Sequence, residues 1–422
     1  MATETRLFAN CAQVVTCAGP ARARRGPECQ DLAIIAAGAV AVVGDAIAAA
    51  GSREELERRF PDAELVDCGG GVLLPGFVDS HSHAIFGKPR FEEQELRAQG
   101  LDYMEIARRG GGIHSSVRDL RARDEDNLFA LAYTRLRRIA GWGTTTIEVK
   151  SGYGLTIDDE LKMLRVIDRL GRALPLRLVP TFLGAHEIPL EARATPTGRS
   201  DYVASLVKEM IPRVASLGLA RFVDVFCEPG VFTVEETRTI LSCARREGLL
   251  LKLHADELRP SGGAELAASL GATSADHLAA ISETGIRALA ESATVATLLP
   301  GTMLFLGKDR QAPARALIAA GAAVALATDF NPGTSPTVNF PLILTLAVSQ
   351  LRMSVSEAIL AATVNGAAAL NLALRTGQIA PGFSADLALF DVSDVREIPY
   401  WYGDRRCRAT WVRGTPCHAD TP

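Results

Sequence analysis

The sequence predicts an α/β fold in which a (β/α)₈ TIM-like barrel carries a small β-sandwich domain formed from the N- and C-terminal segments. Residues 71–380 alternate short apolar runs with amphipathic stretches, a pattern typical of parallel strands joined by helices. Both ends of the chain instead hold short strand patterns separated by Gly and Pro. No Gly-rich dinucleotide-binding turn follows the first apolar run, which disfavours a doubly wound open sheet.

The central part predicts eight strands with helices between them. The first strand lies in the apolar run 71–80, and the others are predicted at Thr144–Val149, Leu176–Phe182, Phe222–Phe226, Leu249–Leu253, Thr273–Ala275, Thr294–Leu298 and Val324–Ala327. The amphipathic stretches predict helices at Asp124–Ala140, Asp158–Leu170, Tyr202–Leu217, Val234–Glu247 and Gly263–Leu270.

The terminal segments are each too small to bury a core alone. Residues 32–50 predict two strands joined at Gly44-Asp45, Arg53–Arg59 predicts a helix, and Ala385–Phe390 and Ala409–Arg413 predict strands near the other end. We therefore expect residues 1–70 and 381–422 to form one composite β-sandwich domain. Residues 71–380 would form the catalytic barrel, inserted between them.

Composition excludes several functional classes. The 422 residues carry a net charge of −4 with both signs interspersed, so no nucleic-acid surface or polybasic membrane patch is expected. Eight cysteines without a CxxC pair suggest no disulfide framework and favour a reducing, cytoplasmic setting. The N-terminus lacks the apolar region of a signal peptide, and residues 32–50 are too short and too polar at Asp45 to predict a membrane span.

Histidines and one aspartate follow the predicted strands. His81 and His83 come after the first strand, His254 after the fifth, His277 after the sixth and Asp329 after the eighth. Barrel enzymes carry their chemistry at the C-terminal strand ends, and residues i and i+2 of a strand share a face. An isolated histidine at a strand end is usually structural, but five of the seven histidines, counting His186 after the third predicted strand, lie at matching ends and are not explained that way. The pattern predicts a metal site that activates water for hydrolysis.

Longer motifs around these residues resemble the amidohydrolase superfamily. The superfamily motifs are Pro75–His83, His254, Asp276-His277, Thr328-Asp329 and Gly382–Leu387. Further strings resemble the imidazolonepropionase family within it, namely Arg90 with Glu92-Glu93, Tyr103–Ile113, Glu148–Gly154, Phe182–Glu187, His254–Glu257 and Thr328–Thr334. The second resemblance implies hydrolysis of 4-imidazolone-5-propanoate to N-formimidoyl-L-glutamate in histidine degradation, by a cytoplasmic homodimer acting on a small molecule.

The resemblance also implies a set of site residues. One Zn or Fe ion per subunit would be held by His81, His83, His254 and Asp329. The substrate would be contacted by Arg90, Tyr153, His186, Glu257, Asn331, Gly333 and Thr334. Lys150 ends the second predicted strand rather than the fourth, where two-metal members of the superfamily carry a carboxylated lysine, so we expect one metal ion and no such lysine.

Each proposed role has an alternative. Asp329 would move a proton from water to the ring nitrogen. His277 would hydrogen-bond the water or the oxyanion, or else orient Asp329. Arg90 matches a carboxylate but could form a surface salt bridge with Glu92 or Glu93.

The remaining candidates have alternatives of the same kind. Tyr153 could be a packing residue and His186 a capping or core residue. Glu257 would bond a ring N–H and move protons on the imidazolone, or pair in a buried salt bridge. Asn331, Gly333 and Thr334 lie in a turn that would offer backbone and amide groups to the substrate. A guanine- or cytosine-type deaminase is the nearest alternative function, and a non-catalytic scaffold is a more distant one.

Overall fold

The computed structural model describes residues 4–101, 105–106 and 109–419, so part of the Tyr103–Ile113 motif lies outside the described residues. The strands are, in chain order, β1 (Thr5–Ala9), β2 (Gln13–Val15), β3 (Ile34–Ala36), β4 (Gly38–Val43), β5 (Ala46–Ser52), β6 (Glu64–Asp67), β7 (Val72–Pro75), β8 (Phe77–Asp79), β9 (Thr144–Lys150), β10 (Arg177–Ala185), β11 (Phe222–Cys227), β12 (Leu250–Ala255), β13 (Ser274–His277), β14 (Val295–Leu298), β15 (Val324–Leu326), β16 (Leu387–Phe390), β17 (Cys407–Val412) and β18 (Thr415–Ala419).

The helices connect and cover these strands. The α-helices span Arg53–Arg59, Phe91–Ala98, Ile113–Arg121, Glu125–Ala140, Ile157–Ala173, Leu190–Arg193, Gly198–Ser205, Ile211–Leu217, Val234–Arg246, Gly263–Ser269, Glu283–Glu291, Pro300–Phe305, Ala314–Ala320, Phe340–Ser349, Val355–Ala362, Val364–Ala369 and Glu397–Tyr400. A 3₁₀ turn covers Gly26–Gln30, and a π-helical segment, Leu206–Met210, lies within the predicted helix 202–217. Within the described residues, none of these helices has the length and apolar character needed to span a membrane.

Local sequence explains why the barrel helices begin where they do. Thr156, Thr233 and Ser282 each accept a hydrogen bond from a backbone N–H in the first turn of the following helix. Such N-caps satisfy donors that have no partner inside the helix. The helices then bury their apolar faces against the barrel strands in one continuous core.

Strands β8 to β15 form one parallel sheet in chain order, as the sequence predicts. Beyond the last paired residues, the Asp329 N–H donates to the His81 carbonyl (3.0 Å) and the His83 N–H donates to the Phe330 carbonyl (2.8 Å). These bonds join the two outer strands β15 and β8. The predicted (β/α)₈ architecture is therefore confirmed, and its closing bonds run through predicted ligand residues.

Two further sheets contain the terminal segments. One has the order β5-β4-β1-β6, and the other has the order β18-β17-β16-β7-β2-β3, which mixes strands from both ends of the chain. The predicted pairing of the two ends is thus confirmed: Val72 lies opposite Phe390, and Phe8 packs edge-on against Trp411 with ring centroids 4.9 Å apart. The exact division into two domains stays a prediction.

The apolar run 71–80 forms two strands in different sheets, where one was expected. Strand β7 belongs to the six-stranded sheet, and β8 starts the barrel two residues later. Gly76 separates them at a close approach, because a Cβ there would lie 2.1 Å from Thr145 Cγ2. Both strands are buried on both faces, so both consist of apolar residues. The sequence pattern therefore continues unchanged across the break.

Candidate metal and substrate site

The four predicted ligands converge at the C-terminal end of the barrel. His81 and His83 follow β8, His254 lies near the end of β12, and Asp329 follows β15. The Nε2 atom of His83 lies 3.3 Å from His81 Nε2 and 3.4 Å from His254 Nε2. Asp329 Oδ1 lies 3.5 Å from the Nε2 atoms of both His81 and His83.

The spacings among His81, His83 and Asp329, and between His83 and His254, fit a common metal ion. Metal–nitrogen bonds of about 2.0–2.1 Å in a tetrahedral arrangement place neighbouring ligand atoms roughly 3.3–3.4 Å apart. All four side chains are buried, so their polar atoms face one another and not bulk water. The donor set, three imidazoles and one carboxylate, suits zinc or iron.

Carboxylates behind the histidines fix which ring nitrogen faces the centre. Asp276 Oδ2 lies 2.7 Å from His81 Nδ1, and Asp224 Oδ1 lies 3.1 Å from His254 Nδ1. With Nδ1–H donating to a carboxylate, the Nε2 lone pair of each ring is directed toward the ligand cluster. Neither aspartate had a predicted role.

Asp329 has one oxygen at the centre and one held by a neighbour. Its Oδ2 accepts a hydrogen bond from Thr302 Oγ1 at 2.6 Å, and burial raises the pKa of Asp329 to about 6. Sequence reasoning missed Thr302, which lies on the short helix after β14 and carries no motif that marks it. Among the described residues no hydrogen bond links His277 to Asp329, so it is Thr302 that orients this carboxylate.

His277 and Glu257 form a pair beside the ligands. His277 Nε2 lies 3.7 Å from Glu257 Oε2 and has no hydrogen-bond partner among the described residues. Burial raises the pKa of Glu257 well above its ordinary value and lowers that of His277 well below its own. Burial therefore favours the uncharged form of both side chains, and both have polar atoms available to a ligand.

Arg90 is buried rather than at the surface. It is 5% exposed, and Nη1 has no hydrogen-bond partner among the described residues. Its Nε lies 3.5 Å from Glu93 Oε1, so the ion pair considered as the alternative exists but is buried. The backbone N–H of Arg90 donates to the Pro332 carbonyl (2.9 Å), and a Cβ on Gly333 would lie 1.5 Å from Arg90 Nη2. The guanidinium thus packs directly on the turn that follows Asp329.

Tyr153 and His186 lie on the other side of the cluster. The His186 ring stacks on the His83 ring, with centroids 5.0 Å apart and an interplanar angle of 18°. The Tyr153 ring centroid lies 5.3 Å from that of His186. His186 Nδ1 lies 2.9 Å from the Gly152 carbonyl, and burial lowers the pKa of His186 to about 3, so the ring is neutral and donates from Nδ1.

The turn after Asp329 is held together by Asn331. Its Nδ2 donates to the Asp329 carbonyl (2.7 Å) and to Thr334 Oγ1 (2.8 Å), while its Oδ1 accepts from the N–H groups of Gly333 (2.9 Å) and Thr334 (2.7 Å). The amide of Asn331 therefore shapes the turn. A direct contact with a ligand would compete with these bonds.

Lys150 and four further charged side chains lie deeper in the barrel. Lys150 Nζ is 2.6 Å from Asp224 Oδ2 and 2.9 Å from Glu148 Oε2, with every side chain fully buried. Apart from Lys150, sequence reasoning gave these residues no role. A usable signal existed, because Lys252 stands two residues before His254 in an otherwise apolar strand and so shares its face.

Comparison with known proteins identifies the family. Residues 72–417 match the model of the amidohydrolase family, and residues 38–63 match the bacterial imidazolonepropionase-like composite domain. The chain is 47% identical to the imidazolonepropionase of Solibacter usitatus, over 96% of each chain. The chain belongs to the imidazolonepropionase family of amidohydrolases. A second relative, the imidazolonepropionase of a Geobacillus species, is 46% identical over 93% of each chain.

Solved structures support the fold of this family member. An adenosine deaminase from Xanthomonas campestris with bound zinc superposes with a TM-score of 0.71, covering 97% of this chain and 92% of that one. Its sequence identity of 19% supports the shared fold alone.

Proposed function

We propose that this protein hydrolyses 4-imidazolone-5-propanoate to N-formimidoyl-L-glutamate, a step of histidine degradation. The observation that carries the proposal is the position of the buried Arg90 guanidinium, which lies against the turn leading from Asp329 and has an unpartnered Nη1. A ligand cluster that suits hydrolysis and a cation that suits a carboxylate are thus next to each other. The substrate carries both a cyclic amide and a carboxylate.

Arg90 would bind the propionate arm. Its Nη1 has no protein partner among the described residues, so a ligand carboxylate can accept that hydrogen bond without displacing one. Tyr153 and His186, on the far side of His83, would bound the pocket around the ring. Binding at both ends would fix the carbonyl beside the four convergent donors.

Ring opening needs a nucleophile, a polarised carbonyl and a proton for the leaving nitrogen. The water oxygen bonds to the carbonyl carbon, the ring C–N bond breaks and the nitrogen gains a proton. When bound, the ion would lower the pKa of a water molecule toward neutrality and polarise the carbonyl. Asp329 would take the proton from water and deliver it to the nitrogen, while Thr302 holds its Oδ2 in place.

His277 and Glu257 would act on the other polar atoms of the ring. Glu257 would hydrogen-bond a ring nitrogen, because burial raises the pKa of its carboxyl and so favours a partner that shares a proton with it. His277 would stabilise the oxyanion from Nε2, which has no protein hydrogen bond among the described residues. Asn331 and Thr334 would keep the turn after Asp329 in the shape that substrate binding needs. Gly333 would leave room for the Arg90 guanidinium beside that turn.

We further propose one zinc or iron ion per subunit, a cytoplasmic homodimer, and no nucleic-acid or membrane partner. Among the described residues, His81, His83 and Asp329 offer donor atoms within 4.8 Å of one another, and His83 shares a second such group with His254, so the overlapping donors support one ion at this cluster. Lys150 is ion-paired with Asp224 and Glu148 rather than placed among these ligands, which supports the absence of a carboxylated lysine bridge.

Product analysis tests the proposal against its nearest rival. Purified protein would be incubated separately with 4-imidazolone-5-propanoate, guanine and cytosine, and the products identified by mass spectrometry with ammonia release measured in parallel. We expect N-formimidoyl-L-glutamate from the first and no ammonia from the others. Ammonia release from guanine or cytosine, with the imidazolone left intact, would contradict the proposal. Arg90→Ala should abolish the first reaction, whereas a deaminase need not depend on a carboxylate anchor.

A further inference from the structure

Beneath the metal ligands lies a cluster of five charged side chains that the proposed chemistry does not use. We call it the ion layer. Its members come from four of the five neighbouring barrel strands β9 to β13, and every side chain has zero exposure. They are Glu148 and Lys150 on β9, Asp224 on β11, Lys252 on β12 and Asp276 on β13.

Glu148 connects the two halves of the ion layer. Its Oε2 lies 2.9 Å from Lys150 Nζ and 3.1 Å from Lys252 Nζ. Lys150 Nζ then pairs with Asp224 Oδ2 at 2.6 Å, and Lys252 Nζ lies 3.5 Å from Asp276 Oδ2. The Glu148 carboxylate thus forms ion pairs with both lysines, and each lysine forms a second ion pair with one aspartate.

Each of those aspartates is bonded to a metal-ligand histidine. Asp276 accepts from His81 Nδ1 at 2.7 Å, and Asp224 accepts from both the Nδ1 and the backbone N–H of His254 at 3.1 Å. Lys252 Nζ also donates to the carbonyl of Ser80, the residue before His81, at 2.8 Å. Two separate chains of contacts therefore run from Glu148 to ligand rings on different strands.

Burying five charges in the middle of a barrel is costly. Removing charged groups from water is unfavourable, and well-packed apolar residues often give equal or greater stability. Stability therefore does not explain why this interior is ionic. The contacts with His81 and His254 do offer an explanation, because outer hydrogen-bond partners fix the tautomer and direction of metal-binding imidazoles.

We propose that the ion layer is a positioning device for the metal ligands, with Glu148 as the residue that couples its two halves. This inference rests on the metal site proposed above. Glu148 makes no hydrogen bond to a ligand histidine among the described residues, so its influence would pass through Lys150 and Lys252. Removing the Glu148 carboxylate should make the positions of both Asp276, behind His81, and Asp224, behind His254, less well fixed.

The test compares two buried glutamates. Glu148→Gln removes the coupling carboxylate, and Glu357→Gln is a matched control, because Glu357 is also buried and ion-paired, with Arg315, but has no contact with the ligand set. The dissociation constant for Zn²⁺ would be measured by competition with a chelator, and the visible spectrum of each Co²⁺-loaded protein recorded. Circular dichroism would check that both variants fold.

We expect E148Q to bind Zn²⁺ about 10- to 100-fold more weakly and to show a changed Co²⁺ spectrum, with E357Q like the wild type. Wild-type affinity and spectrum for E148Q would overturn the inference, as would equal losses in both variants. If E148Q does not fold, Thr181→Val, which removes the hydroxyl that donates to Glu148, replaces it and should weaken Zn²⁺ binding by a smaller factor. Failure of the wild type itself to bind Zn²⁺ or Co²⁺ would instead contradict the metal site.

Discussion

Replacing Gly333 with alanine should weaken substrate binding while leaving the protein folded. The new Cβ would lie 1.5 Å from Arg90 Nη2 and 2.1 Å from Arg90 Cζ. Non-bonded heavy atoms rest about 3.5 Å apart, so the guanidinium would have to retreat by roughly 2 Å. The end of a flexible side chain can move that far, but it would then no longer meet the substrate carboxylate.

The size of the effect follows from the lost contact. Hydrogen bonds to charged groups contribute about 1.5–3 kcal/mol, which corresponds to a fall in kcat/KM of roughly 10- to 150-fold. The loss should appear mainly in KM, because the carboxylate is remote from the reacting carbonyl and is bound in ground and transition states alike. Steady-state rates of imidazolone loss measure both parameters.

Two controls separate this effect from general damage. Gly171→Ala adds the same methyl group where the nearest neighbouring atom would be Leu178 Cβ at 4.0 Å, and should leave kcat/KM unchanged. Adding G333A to R90A should cause little further loss, because the contact is already gone. Wild-type KM for G333A, in a protein that melts normally, would refute the role assigned to Arg90.

Three further outcomes follow from the same contacts. Thr302→Val removes the donor to Asp329 Oδ2 and should lower kcat roughly tenfold with an intact metal content, measured by steady-state kinetics and metal analysis; unchanged kcat would exclude this role. Glu160→Gln disturbs a buried carboxylate that accepts from the N–H groups of Gly154 and Leu155. Urea unfolding should show that the free energy of unfolding falls by about 1–3 kcal/mol, and KM should rise because the turn that carries Tyr153 is loosened. An unchanged free energy of unfolding would contradict this role of Glu160. Stripping the metal should lower Tm, and Zn²⁺ at about 100 times its Kd should restore about 2.7 kcal/mol; a metal-independent Tm would oppose the site.

The sequence predicted the site largely because barrel topology is simple. Eight strands in chain order bring their C-terminal ends to one rim, so residues following separate strands, such as His83, His254 and Asp329, had to converge. The order of the strands, and hence the position of Lys150 on the second, followed from counting apolar runs. Neither inference required knowledge of side-chain packing.

Other features depend on packing that a linear pattern does not record. The break at Gly76 arises from the close approach of Thr145, which is distant in sequence. Thr302 reaches Asp329 from a helix with no distinguishing motif. The hydrogen bonds by which Asn331 holds its own turn were not predicted, and its contact with the substrate stays a prediction.

The ion layer is an intermediate case. Charged residues such as Lys252 and Asp276 stand out within buried strands and are close in sequence to His254 and His277, although no role was predicted for them. Which lysine pairs with which carboxylate depends on strand register, for example Lys252 opposite Ser274. That register emerged only in the folded barrel.

Activity as a function of metal content tests the central claim most directly. Metal-stripped protein would be titrated with Zn²⁺ or Fe²⁺ while the loss of imidazolone absorbance from 4-imidazolone-5-propanoate is followed. The account predicts negligible activity without metal and a rise that levels off at about one ion per chain, because the proposed ligands would hold one ion. Full activity in the stripped protein, or none in the fully loaded protein, would contradict it.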